Sequence, residues 1–180
     1  MPALGYAFFE TALGACGIAW SARGIVGVQL PESSHDATHA RLRRRYVDAR
    51  EVEPTGHVAA AIDEIRALLE GEDRDLAQIA LDLHDVPDFH ARVYAITLAI
   101  PRGRTLTYGE IAARLGDPTL ARAVGQALGR NPVPIIIPCH RVVGASGWEG
   151  GFSGAGGVAT KRRLLVIEGA REPEPPSLFD

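Results

Sequence analysis

Residues 106–143 read LTYGEIAARLGDPTLARAVGQALGRNPVPIIIPCHRVV, and this stretch decides the fold. Thr107–Leu115 has the composition of a short helix. Gly116-Asp-Pro-Thr119 is a turn, and Leu120–Arg130 a second helix with Ala121, Val124 and Leu128 on its inner face. Two short helices about a Gly-containing turn fit a helix-turn-helix, and equally an ordinary αα-hairpin in a core. Beyond them, prolines at 132, 134 and 138 forbid a helix and predict an extended, strand-like path for the apolar run Ile135–Ile137. Cys139 and His140 follow that run directly.

Outward from this centre, Phe89, Val93, Ile96 and Ile100 mark one face of a preceding helix. Pro87-Asp-Phe89 reads as a linker and helix start. Residues 144–157 hold seven glycines, a loop that bends tightly or approaches something closely. Lys161–Glu168 predicts a closing helix, and the Pro- and acid-rich tail is expected to be disordered. On the N-terminal side, residues 4–30 read as two β-runs about a turn at Ser21–Gly24. His35–Tyr46 and Gly56–Glu70 read as helices, and Ile79–Leu83 as a short strand. The expectation is an α+β chain of two domains. Residues 1–86 form a small α/β domain with an antiparallel sheet, residues 87–170 a winged-helix-like domain, and 171–180 a tail.

The 180 residues are 46% hydrophobic, enough for one or two small cores. No apolar run is long enough to span a membrane, and MPALGYAFFE lacks the pattern of a secretory signal, so the expected compartment is the cytoplasm. The net charge of −3 is unevenly spread. Residues 1–100 carry nine Arg against fifteen Asp and Glu, whereas 101–163 carry eight Arg and Lys161 against three acids. A basic block between acidic flanks suits a polyanion partner, although such blocks are also ordinary solvated surface.

The two cysteines, Cys16 and Cys139, are far apart and do not suggest a disulfide framework. Cys16, within a strand, reads as a packed small hydrophobe. Cys139 is the candidate nucleophile. A thiol attacks as thiolate, with a free pKa of roughly 8.5. A neighbouring histidine can take its proton, and a carboxylate such as Glu168 can orient that histidine. A buried structural cysteine beside a surface histidine is the plain alternative. Cys16, His35, His39, His57 and His84 lack a metal-ligand spacing, so no metal is expected. The Arg41–Arg45 cluster is either a phosphate contact or a solvated helix face.

The string 131–143 strongly resembles the active-site motif of the O6-alkylguanine-DNA alkyltransferases, the methylated-DNA–protein-cysteine methyltransferases. LTYGEIA (106–112) and ARAVGQAL (121–128) resemble that family's helix-turn-helix. GFSGAGG (151–157), KRRLL (161–165) and IEG (167–169) resemble its substrate loop and closing helix. The resemblance covers residues 89–169 and implies direct-reversal DNA repair. The alkyl group of O6-alkylguanine, and of O4-alkylthymine, would pass once and irreversibly to Cys139 after base flipping. It further implies His140 as the base acting through a water and Glu168 as its orienting acid. Asn131 would tie the helix-turn-helix to the active-site segment. Tyr108 would aid extrusion and donate a proton, and Arg122 would fill the vacated stack. Val142, Phe152 and Ser153 would meet the flipped base. Ala121 and Gly125 would let the helix approach DNA closely, and Arg141 and Lys161 would be structural near the pocket. No cofactor is implied. The implied partner is double-stranded DNA bound without sequence preference, by a monomer. Phe152 stands where many members have tyrosine, and the 153–161 loop is about two residues longer than in some relatives.

Three rivals remain at this point. A damage-flagging relative would lack the cysteine, a thiol-sensing regulator would need an effector domain, and a Cys-His hydrolase would turn over.

Overall fold

The computed structural model describes residues 3–147 and 149–173. Trp148 and residues 174–180, most of the expected tail, lie outside the described residues.

Three strands open the chain: β1 (Gly5–Thr11), β2 (Gly14–Trp20) and β3 (Ile25–Gln29). They form an antiparallel meander, not the two expected runs, because a second turn splits the first run. Thr11 makes that turn locally, donating Oγ1–H to Gly14 O at 2.8 Å and accepting from Leu13 N at 3.1 Å. Helix α1 (His35–Arg45) starts at Ser34, whose hydroxyl accepts from Ala37 N. A two-residue strand, β4 (Arg50–Glu51), pairs parallel to β1 and was not expected from sequence. Helix α2 (Gly56–Leu69) buries Val58, Ile62, Ile65, Leu68 and Leu69, the face the periodicity predicts.

The sheet order is β3-β2-β1-β4. Strand alternation sends Ala7, Phe9 and Ile18 into the core shared with α2, while Tyr6 and Ala19 meet Leu42 of α1 on the other face. The strand expected at 79–83 does not form. A 3₁₀ turn spans Leu76–Gln78, and only a single bridge joins Leu81 to Ile25. That bridge docks the segment on β3. Gly24 (φ +156°) permits it, since a Cβ there would lie 2.5 Å from Ala80 O.

The second half comprises α3 (Asp88–Leu98), β5 (Leu106–Thr107), α4 (Tyr108–Arg114), α5 (Ala121–Gly129), β6 (Val142–Val143) and α6 (Gly157–Ile167). Thr107 and Glu110 close a capping box on α4. Asp117 holds the turn before α5, accepting from Thr119 N and Oγ1. Strands β5 and β6 pair parallel as a small wing. Val124, Ala127 and Leu128 face inward on α5, and half-buried Ala121 packs against the same core at its start.

One buried cluster runs through both halves, from Ile18, Val28 and Leu30 to Ile135, Ile136 and Val142. A backbone bond from Val28 N to Pro132 O at 3.0 Å crosses the same seam. The joint between the halves is therefore a packed surface. Helix α3 is pinned to α5 by the Tyr94 hydroxyl, which donates to Ala127 O at 2.7 Å in a fully buried setting. Tyr94→Phe leaves that carbonyl short of a donor. It should lower the unfolding free energy by about 1–2 kcal/mol, measured by urea denaturation, with secondary structure unchanged.

Candidate active site

Residues 131–138 do not run as a strand. The prolines hold Asn131, Val133 and Ile137 out of the helical region, but Ile135 precedes no proline and adopts φ +75°. The chain turns there, bridging Pro134 to Ile137. For a β-branched residue this conformation costs on the order of 1–3 kcal/mol, offset by burial of all three isoleucines. Asn131 clamps the turn from inside. Its Nδ2 donates to Ile137 O at 2.8 Å and its Oδ1 accepts from Val133 N at 3.0 Å. The turn delivers Cys139 to the first position of a 3₁₀ helix, Cys139–Arg141.

Cys139 is 8% exposed. It meets a cavity of about 600 Å³ walled by α5 through Ala121, Arg122, Gly125 and Gln126, by Tyr108, and by the loop residues Gly151, Phe152 and Ser153. Burial pushes the thiol pKa up. The Asn131 side chain and the charge of Lys161 act against that rise.

Beneath the thiol lies a buried charged group. Glu168, at the end of α6, is 2% exposed. Arg141 grips it through two bonds, Nε to Oε2 at 2.9 Å and Nη2 to Oε1 at 2.8 Å, and donates Nη1 to Ile100 O at 2.6 Å. His140 Nε2 stands 2.9 Å from Glu168 Oε1, though off the in-line hydrogen-bond direction, while its Nδ1 is buried without a partner among the described residues. Burial alone would raise the Glu168 pKa. The His140 and Arg141 contacts outweigh it and bring the carboxyl down to about 2.

Lys161 is wholly buried, a position that sequence reading placed near the pocket but could not resolve further. Its Nζ donates to Val142 O at 2.5 Å, to Gly151 O at 3.3 Å and to Tyr108 Oη at 3.5 Å. Desolvation brings its pKa down to about 8, and the neighbouring Cys139 acts in the opposite direction. Tyr108 Oη also donates to Gly151 O at 3.4 Å, and burial raises its pKa. Gly150 (φ +73°) is required here, since a Cβ would come within 2.6 Å of the Tyr108 hydroxyl.

The structure thus gathers Cys139, His140, Glu168, Asn131, Tyr108, Arg122, Ala121, Gly125, Phe152 and Ser153 at or beneath one cavity. Val142 differs. Its side chain is fully buried, and its carbonyl is engaged by Lys161. Glu149, unassigned from sequence, is buried and pairs with Arg162 at 2.9 Å and with Arg171. This anchors the glycine-rich loop to α6 and to the first residue of the expected tail. Among the described residues no group of three or more His, Cys, Asp or Glu could hold a metal ion.

A sequence profile of the 6-O-methylguanine DNA methyltransferase DNA-binding domain matches residues 88–170. The methylated-DNA–protein-cysteine methyltransferase of Mycobacterium tuberculosis is 46% identical over 125 residues, 69% of this chain and 73% of that protein. The namesake from Methanothermobacter thermautotrophicus is 36% identical over 153 residues, 85% of this chain and 78% of that protein. This chain belongs to the methylated-DNA–protein-cysteine methyltransferases. Among solved methyltransferase structures, that of Mycobacterium tuberculosis OGT in complex with DNA superposes with a TM-score of 0.75 at 35% identity, covering 94% of this chain and 96% of that one. The enzyme from Pyrococcus kodakaraensis KOD1 gives 0.72 at 26% identity, covering 91% and 99%. The two-domain α+β fold of these methyltransferases is the fold of this chain.

The Glu168 carboxylate sets a pH dependence in this methyltransferase. Its folded pKa lies below the unfolded value of about 4.3, so its stabilisation is present above that value and lost as pH falls toward 2. Glu168→Gln should cost about 3–5 kcal/mol at pH 7, because buried Arg141 loses its counter-charge. Urea titrations at stepwise pH between 6 and 2.5 should show the gap from wild type narrowing below pH 4.5.

Proposed function

We propose that Cys139 is the alkyl acceptor of a single-use repair reaction on O6-alkylguanine in duplex DNA, with O4-alkylthymine as a second lesion. Repair of alkyl damage in DNA by direct transfer is the activity of this chain. The observation that carries the residue assignment is the Cys139 thiol at the wall of a base-sized cavity, with the His140–Glu168 pair directly beneath.

The O6 carbon lies within a stacked pair, so the nucleotide must leave the duplex, at a cost of a few kcal/mol. Helix α5 carries small residues at 121 and 125 on its cavity side, which permit close approach to a minor groove, and exposed Arg122 stacks in the vacated space. Phe152 and Tyr108 flank the base in the cavity, and Ser153 meets its rim. The unpartnered Nδ1 of His140 takes the thiol proton through a water. Glu168 stabilises the imidazolium that results. The thiolate displaces the purine oxygen from the alkyl carbon. Tyr108 supplies a proton to the ring so that guanine leaves neutral, and Lys161 beside its hydroxyl makes that transfer less costly. The sulfur–carbon bond of the product has no route to hydrolysis, so each molecule acts once. Asn131 keeps the thiol segment rigid while α5 engages DNA.

The division at residues 86 and 87 separates a DNA-engaging half from one with no part in the chemistry of methyl transfer. The protein acts as a monomer without cofactor, reads DNA by backbone and shape rather than sequence, and resides in the cytoplasm with the nucleoid. No helix of the described residues is long and apolar enough to cross a membrane.

Intact-mass analysis after incubation with a duplex bearing one O6-methylguanine should show one added methyl group, mapped to Cys139, saturating at one equivalent. Cys139→Ala should show none, and His140→Gln should slow the transfer about 10²–10⁴-fold. Tight lesion binding with unchanged mass would instead favour a damage-flagging role.

A further inference from the structure

A second cavity, of about 240 Å³, also meets Cys139. It shares Phe152 and Ser153 with the larger one but lies between the loop and the N-terminal half, bounded there by Gln29, Leu30, Arg41 and Arg45. The seam is close. A Cβ on Gly154 would fall 2.5 Å from the Phe152 ring and 2.8 Å from Leu30 Cδ1. The thiol therefore stands where two spaces meet, one walled by α5 and one walled by α1 and β3. The base fills the first. Cys139, Gly129, Phe152 and Ser153 border both spaces, so the second opens from the same sulfur.

The lining of that second space is polar and ordered. Gln29 is 6% exposed and donates Nε2–H to Leu30 O at 2.9 Å and to Glu32 Oε1 at 3.2 Å. Glu32 Oε1 in turn receives Arg41 Nε at 3.2 Å. A guanidinium has five N–H donors, more than one carboxylate oxygen can engage, so Arg41 keeps donors for a further acceptor. Arg45 sits over the Tyr46 ring, 5.2 Å from its centroid. Two guanidiniums against the Glu32 carboxylate leave this wall net positive. The larger cavity, by contrast, presents aromatic and small apolar groups beside Arg122.

We propose that Arg41 and Arg45 make this cavity a subsite for O6 substituents ending in a carboxylate, so that carboxyalkylated guanine is favoured over neutral alkyl lesions of similar length. The inference rests on Cys139 being the acceptor. The transfer itself is unchanged. The thiolate sulfur bonds to the methylene carbon, the carbon–O6 bond breaks, guanine leaves with a ring proton, and the carboxylate stays on the new thioether as a spectator. The subsite contributes a charge-assisted hydrogen bond to the far end of the group.

The test compares single-turnover rates on three duplexes, bearing O6-methyl-, O6-propyl- and O6-carboxymethylguanine, for wild type, Arg41→Gln, Arg45→Gln and the double variant. Intrinsic leaving-group differences cancel in the variant-to-wild-type ratio. The double variant should lose about tenfold on the carboxymethyl lesion relative to the propyl lesion. Arg41→Lys, which keeps the charge but not the planar fork, should recover part of that ratio. Both side chains are exposed, and Arg45→Gln carries the test if Arg41→Gln fails to fold. An equal loss on all three lesions would overturn the subsite and make the arginines contacts to DNA phosphates. An unchanged ratio would overturn it also. Absence of methyl transfer in the wild type would instead remove the acceptor assignment on which the inference stands.

Discussion

The Glu168 carboxylate, sealed from water, receives Arg141 on both oxygens and has His140 beside one of them. Three elements meet through it: the end of α6, the 3₁₀ helix that carries Cys139, and, by way of Arg141 and Ile100 O, the turn after α3. A lone buried carboxylate is strongly unfavourable, and the bidentate Arg141 guanidinium, with the His140 ring beside it, makes it tolerable. The arrangement fixes the imidazole under the thiol without asking the backbone of the thiol segment to be regular. That segment is irregular, with Ile135 in a left-handed conformation and Asn131 closing the turn.

Burial has two consequences for Cys139. It raises the thiol pKa, and it places the sulfur where a group inserted into the cavity can reach it. The surrounding donors and Lys161 favour the thiolate at the same time. Tyr108 and Lys161 stand together at the cavity wall, both donating to Gly151 O.

Local patterns carried much of this into the sequence. The α5 inner face is legible because Val124 and Leu128 follow helical spacing. The ordered motifs between residues 106 and 169 name the chemical residues together. The path of 131–138 is not legible, because prolines restrict their predecessors but say nothing of Ile135, which tertiary burial and the Asn131 clamp decide. The third strand was hidden since the Thr11–Gly14 turn lies inside a run already punctuated by several glycines, and it is Gly14 (φ +117°) with the Thr11 side-chain bond that turns the chain. Strand β4 is two residues long and carries no periodicity. Burial of Lys161, and the role of Glu149 as the partner of Arg162, are long-range facts that no local window contains.

The seam at β3 reaches beyond catalysis. This strand is one edge of the sheet, and its outer backbone groups are taken by Ala80 O, Asp82 N and Pro132 O. One of those three covers belongs to the segment that leads to Cys139. An uncovered strand edge is a template on which foreign strands add. Residues 131–139 therefore cover part of that edge, and a displacement of the segment uncovers the Val28 N–H as it moves Cys139.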